Sequence, residues 1–226
     1  MIRQLMKTCE LNAFEASFTE SAYWLAYFIC PIPIAMFMKK YSYKSGIVFG
    51  LLLAACGGLL FFPAAILKEY WAYLCIFFII ATGMCFLETA ANPYVTALGN
   101  PDTAPRRLNL AQSFNGLGAF IAAMFLSKLI LSGNHYTRES LPAEFPGGWD
   151  GYIQMETDAM KLPYLMLALL LIIIAIIFIF SKLPKIKEGG SVEGEEKKGE
   201  KLIDFKVLKR SHLRWGVIAQ FFYNGG

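Results

Sequence analysis

The chain has 226 residues, of which 56% are hydrophobic and 17% charged, with a formal net charge of +4. The charges are unevenly placed: five apolar stretches, 17–38, 46–67, 71–98, 108–131 and 162–181, contain only Glu20, Glu88 and Lys128. That partition excludes a water-soluble globule, whose helices need a polar face. Each stretch meets the roughly 20 residues that carry a helix across a bilayer core. The predicted fold class is all-α: a polytopic membrane protein with five complete transmembrane helices and the start of a sixth. Residues 1–16 form an N-terminal segment, 17–181 the membrane domain, 182–214 a linker and 215–226 the start of a further span.

The first span carries Tyr23, Trp24 and Tyr27, then Pro31 and Pro33. Aromatics near a membrane end read as interfacial anchors, and two prolines one residue apart predict a kink. Glu20, near the span's outer end, reads as a surface or gating charge. In the second span Gly46, Gly50, Ala54 and Gly58 recur every fourth position, the pattern of a groove for close helix packing.

Polar chemistry is concentrated in the third and fourth spans. Glu88 lies deep in the third, where a charged side chain costs roughly 2.5–3.5 kcal/mol at mid-helix. Asn92 and Thr96 follow at four-residue spacing and share its face, and Pro93 removes a backbone donor beside them. Burial favours the protonated form of such a carboxyl, which suits a proton carrier. In the fourth span Asn109, Gln112, Ser113 and Gly116 fall on one arc with Asn115 at its edge. Gln112 and Asn115 offer donors and acceptors that can replace water around sugar hydroxyls. The same amides and Glu88 can instead bond helix to helix, and both readings stand. The fifth span is apolar all round, which places it at the lipid-facing periphery.

Basic residues alternate between loops. Lys39, Lys40, Lys44, Arg106, Arg107 and the ten Lys or Arg of 182–214 fall on one side, which the positive-inside rule makes cytoplasmic. The 132–161 loop, with Glu139, Glu144, Asp150, Glu156 and Asp158, then faces outward, as does the N-terminus. Residues 1–17 have no secretory h-region, so something upstream is expected to carry that end across. Residues 215–226 read as half a span, which cannot end in hydrocarbon with its carbonyls unpaired. Both features point to a piece of a larger transporter-like protein of the plasma membrane.

Cys30, Cys56, Cys75 and Cys85 lie inside spans and behave as small apolar residues, while Cys9 has no obvious partner. His135 and His212 fall on opposite sides of the membrane, so no metal spacing arises. No cofactor motif and no basic, aromatic surface for nucleic acid is present. No enzyme is expected: the chain holds no His-Glu-x-x-His, no Gly-x-Ser-x-Gly and no nucleophile–base pair within one span.

The run Leu87-Glu88-Thr89-Ala90-Ala91-Asn92-Pro93-Tyr94-Val95-Thr96, with Arg107-Leu108-Asn109-Leu110-Ala111-Gln112-Ser113-Phe114-Asn115-Gly116, closely resembles the fucose permease branch of the major facilitator superfamily. So do Met38-Lys39-Lys40-Tyr41-Ser42-Tyr43-Lys44-Ser45-Gly46 and Arg214-Trp215-Gly216-Val217-Ile218-Ala219-Gln220-Phe221. The resemblance implies helices two to six and the start of helix seven, without helix one and most of the C-terminal half. It implies a sugar:proton symporter working by alternating access on L-fucose, or on glucose and galactose. The partners implied are that sugar, protons, the lipid bilayer and the other half of the carrier. In the family the equivalents of Glu88, Gln112 and Asn115 face the central cavity, and the acidic residue of helix four is tied to proton coupling. Asn92 and Asn109 are further candidate sugar contacts. The alternative is a stand-alone membrane scaffold or sensor in which these residues only pack helices.

Overall fold

Two prolines shape the first span. An α-helix bonds each N–H to the carbonyl four residues back, so Pro31 and Pro33 remove the donors that would reach Tyr27 and Ile29. In the computed structural model, which describes residues 6, 11–67, 69–126, 136, 141, 145–184, 211, 214–216, 218 and 219, the span is accordingly broken. Helix α1 runs over Ala13–Ile29 and α2 over Pro31–Lys40, with a bend of 41° between them. At the start of α1 the Asn12 backbone N–H donates to the Glu15 carboxylate at 2.9 Å, one half of an Asn-x-x-Glu capping box. Lys39 and Lys40 fill the last turn of α2, where cations complement the helix dipole.

Helix α3 (Tyr43–Leu67) starts where the Ser45 N–H donates to the Ser42 hydroxyl at 3.2 Å, an ordinary N-cap. Helix α4 (Tyr70–Ala97) follows at once. At 1.5 Å per residue the two are about 37 and 42 Å long, enough to cross a core of about 30 Å. A short 3₁₀ turn at Pro101–Thr103 leads into α5 (Ala104–Ile121), which continues as a π-helical turn over Ala122–Leu126. Helix α6 occupies Gly148–Phe180. No strand occurs among the described residues.

Helix α3 packs on α4 and α6, and α4 also meets α1, α2 and α5. The small-residue stripe of the second span is the contact. A Cβ built on Gly50 would lie 2.7 Å from the Phe86 Cβ and 2.8 Å from the Gly83 carbonyl oxygen. One on Gly83 would lie 2.6 Å from the Ala54 nitrogen. Backbones this close leave no room for any side chain, the small-residue packing that drives helix association in lipid. Gly58 turns the other way, toward Ala168 of α6. Two buried clusters flank the crossing. One gathers Ile34, Met38, Ile47, Leu51, Phe86 and Tyr94 among others; the second centres on Phe61, stacked on Tyr164 at 4.2 Å between centroids.

Several expectations need correction or narrowing. Among the described residues three helices, Tyr43–Leu67, Tyr70–Ala97 and Gly148–Phe180, are long and apolar enough to cross a membrane alone, and the bent α1–α2 pair makes a fourth if it is one broken span. Helix α5 is not among them: its 18 α-helical residues include Arg106, Arg107 and four amide or hydroxyl side chains, Asn109, Gln112, Ser113 and Asn115. Beyond the π-helical turn, residues 127–131, Lys128 included, lie outside the described residues. The 132–161 segment is not all loop, because α6 begins at Gly148. Asp150 and Asp158 are exposed, whereas Glu156 and Thr157 are buried on the helix. Cys9, His135, Glu139, Glu144, His212 and nearly all of 185–226 also lie outside the described residues. A separate compact unit covers Gly194–Gly226, and its few described residues are helical.

The glycine contact yields a direct test. Gly83→Ala forces a Cβ against the Ala54 backbone and should destabilise the chain by about 1–3 kcal/mol. Gly116→Ala, where nothing lies within 4 Å, should be neutral or slightly stabilising through helix propensity. Thermal unfolding of the two variants in detergent measures the difference, and equal melting temperatures would refute the packing assignment.

Candidate functional site

On α4 the residues facing α3 include Gly83, Phe86, Ala90 and Tyr94, all buried. Glu88 and Asn92 lie half a helical turn away, on the opposite side. Packing against α3 therefore fixes which way the carboxylate points. Glu88 is exposed and Asn92 half-buried; the burial expected for Glu88 is not supplied by any described helix.

Two neighbouring helices reach this face. From α1 the Tyr27 hydroxyl donates to Glu88 Oε1 at 3.2 Å, and the Tyr23 hydroxyl donates to Tyr27 Oη at 3.4 Å. From α5 Gln112 Nε2 donates to Asn92 Oδ1 at 3.0 Å. Glu88 and Asn92 are one turn apart, so their Cβ atoms are about 5–6 Å apart. The result is a polar strip across three helices: Tyr23 and Tyr27, then Glu88 and Asn92, then Gln112.

The remaining candidates are placed beside the strip rather than joined to it. Asn109 and Asn115 sit three residues either side of Gln112, on its exposed face, and neither side chain bonds a described residue. The Asn109 carbonyl accepts the Ser113 hydroxyl at 2.9 Å. Thr96 turns back to the Pro93 carbonyl at 2.8 Å and contributes nothing to the strip. Among the described residues no cluster of three or more His, Cys, Asp or Glu could hold a metal. The strip holds one carboxylate, two phenols and two amides, with the Asn109 and Asn115 amides beside it, a set that can move one proton and hydrogen-bond hydroxyl groups.

Tyr27 and Arg107 shape the strip without any local sequence signal, and on α6 Glu156 is buried against expectation. Tyr27, read as an interfacial anchor, bonds the carboxylate instead. Arg107, counted only toward sidedness, donates to the carbonyls of Val95, Thr96 and Asn100 at 3.1, 2.8 and 2.9 Å and also reaches Thr103. It satisfies the last carbonyls of α4 and ties them to the first turns of α5, which sets Gln112 opposite Asn92. Glu156 accepts the Tyr152 hydroxyl at 2.8 Å and is 1% exposed. The signal was present: Tyr152, Ile153, Glu156 and Thr157 repeat at helical spacing well before Leu162.

If Gln112 and Asn92 hold α5 on α4, a double-mutant cycle with Asn92→Ala and Gln112→Ala should show a coupling of about 0.6 kcal/mol. Additive losses in thermal stability would mean that the bond does not form in the membrane.

Similarity to known proteins agrees with this architecture. Residues 2–226 match the model of a family described as the Major Facilitator Superfamily. The chain is 38% identical to the L-fucose-proton symporter of Escherichia coli, covering 100% of this chain and 51% of that protein. It is 37% identical to a glucose/galactose transporter of Brucella abortus, covering 100% and 50%. Among solved structures it resembles the Major Facilitator Superfamily transporter FucP in the outward conformation. The TM-score is 0.83 at 38% identity, over 98% of this chain and 53% of that one. The relatives are transporters rather than enzymes, and the chain spans about half the length of those it matches. A helical, multi-pass membrane chain with this fold and these relatives belongs to the Major Facilitator Superfamily.

Proposed function

We propose that the chain is the N-terminal portion of a sugar:proton symporter that imports L-fucose, or glucose and galactose, by alternating access. The observation that carries this reading is the placement of one ionisable carboxylate, Glu88, within a strip of hydrogen-bonding groups. Its support from relatives is similarity along the whole chain to a proton-coupled fucose carrier and to glucose/galactose transporters. Glu88 takes up and releases the coupled proton, and Gln112, Asn115, Asn92 and Asn109 exchange their hydrogen bonds for those of sugar hydroxyls. The strip then forms one wall of a mid-membrane site, with the other half of the carrier supplying the opposite wall.

In this reading the chain contributes five spans: α1–α2, α3, α4, α5 with its continuation, and α6. The N-terminus faces outward at the plasma membrane, and residues 182–214 link the two halves in the cytoplasm. The Tyr27–Glu88 and Gln112–Asn92 bonds also favour a second reading, a membrane scaffold in which these groups only join helices.

Glu88→Gln separates the two. A glutamine keeps the acceptor for Tyr27 but cannot titrate. In the intact carrier, sugar accumulation driven by a pH gradient should fall to background while protein in the membrane is unchanged. Undiminished accumulation would sink the symporter reading. A scaffold predicts tolerated substitution here, and loss of folded protein only when both bonds are removed.

A further inference from the structure

We infer that Tyr27 is a positioning residue that reads the charge on Glu88 and passes it to the bend between α1 and α2. The inference rests on the proton-coupling role proposed for Glu88. The Tyr27 hydroxyl donates to Glu88 Oε1, and its own oxygen accepts from Tyr23. The acceptor's charge decides how strong that bond is: a donor to an ionised carboxylate makes a shorter bond, roughly twice as strong as one to a neutral group. When Glu88 releases its proton the tie between α1 and α4 tightens, and when Glu88 regains it the tie slackens. Tyr27 keeps its own proton throughout.

The position of Tyr27 on α1 makes the tie consequential. Pro31 lies four residues on and removes the backbone donor that would bond the Tyr27 carbonyl. The 41° bend falls between Ile29 and Pro31, within one turn of Tyr27. The tyrosine pulled by Glu88 therefore sits on the last stretch of α1 before its weakest point. The ring is held independently of the hydroxyl, against Tyr23 at 5.2 Å and Trp24 at 6.1 Å between centroids, so the hydroxyl can change partner without the side chain leaving.

Other titratable groups are placed so as not to replace Tyr27. On α1, Glu20 is exposed and two turns away, about 10 Å along the axis, and Cys30 contacts Thr82. On α4, Cys85 lies near Glu88, and its thiol is 3.9 Å from the Thr89 hydroxyl. Helix α5 presents amides at this level, with Arg106 in its first turn and Arg107 engaged by carbonyls. Helix α2 carries Lys39 and Lys40 only in its last turn. Helix α3 lies behind α4: its Lys44 bonds the end of α6, Tyr43 sits in the buried core and Cys56 is exposed.

The test is Tyr27→Phe in the intact carrier, which deletes the hydroxyl and keeps the ring. A donated hydrogen bond favours the charged carboxylate, so its loss favours the proton-bound form. Proton-driven uptake should persist, but the pH at which it falls away should move upward by about half a unit or more. Tyr23→Phe should give a smaller shift in the same direction. Amide protection over residues 26–34, taken relative to the intrinsic exchange rate at each pH, should change with pH in the parent and stay constant in Tyr27→Phe. An unchanged pH profile in Tyr27→Phe at equal abundance overturns the inference. If that variant fails to reach the membrane, an unchanged profile in Tyr23→Phe does so. Glu88→Gln distinguishes the levels: intact uptake in it brings down the symporter reading itself, whereas lost uptake with an unmoved Tyr27→Phe profile brings down only the role of Tyr27.

Discussion

The approach of α3 and α4 at Gly50, Ala54 and Gly83 is the constraint on which the rest depends. Because no side chain separates the backbones there, the rotation of α4 about its own axis is fixed by steric exclusion rather than by any polar contact. Gly83, Phe86, Ala90 and Tyr94 are committed to one side, so Glu88 and Asn92 can only face the other. Slipping α4 by one residue would turn its face by about 100° and put Thr82 or Met84 where Gly83 meets the Ala54 backbone. Specificity of the polar face is thus set by apolar packing behind it, which is why α1 and α5 can each meet it with a single hydrogen bond.

The cations that count toward sidedness also finish helices. Lys44, at the start of α3, donates to the carbonyls of Ile179 and Ser181 at 3.2 and 2.6 Å, at the end of α6. Arg107 does the same for α4. In both cases a positive group meets carbonyls that have no helical partner and the negative end of a helix dipole. Tyr94 adds a bond to the Pro184 carbonyl at 2.9 Å, holding the chain leaving α6 against α4. For these residues a charge count bears on sidedness alone. Their contacts explain why individual ones stand where they do.

Local pattern made much of this legible. The all-helical class, the bend at Pro31, the small-residue stripe of α3 and the shared face of Glu88 and Asn92 all follow from spacing along one helix. What the sequence hid was either non-local or mixed. Tyr27 and Glu88 are 61 residues apart and Arg107 reaches back 11 and 12 residues into another helix, so no window along one helix contains either interaction. The start of α6 is masked by its polarity: residues 148–161 carry acids, yet their period buries Tyr152, Glu156 and Thr157 together. In the fourth stretch the described α-helix gives way after Ile121 to a π-helical turn, a local change in hydrogen bonding that apolar length does not reveal.

Proline placement gives the polar strip a mechanical character that its hydrogen bonds alone would not. Pro31 removes the helical donor to the Tyr27 carbonyl, and Pro93 removes the one to the Thr89 carbonyl, next to Glu88. The Tyr27–Glu88 bond therefore joins two helices at points where each has lost a rung of its own ladder. Elsewhere the same helices are stiffened: by Gly83 against Ala54, by Arg107 at the end of α4, by the capped start of α1. A hydrogen bond whose strength varies with charge has most effect where the backbone it pulls resists least. Of the contacts α1 and α4 make with each other, this one combines an ionisable partner with a softened backbone on both sides.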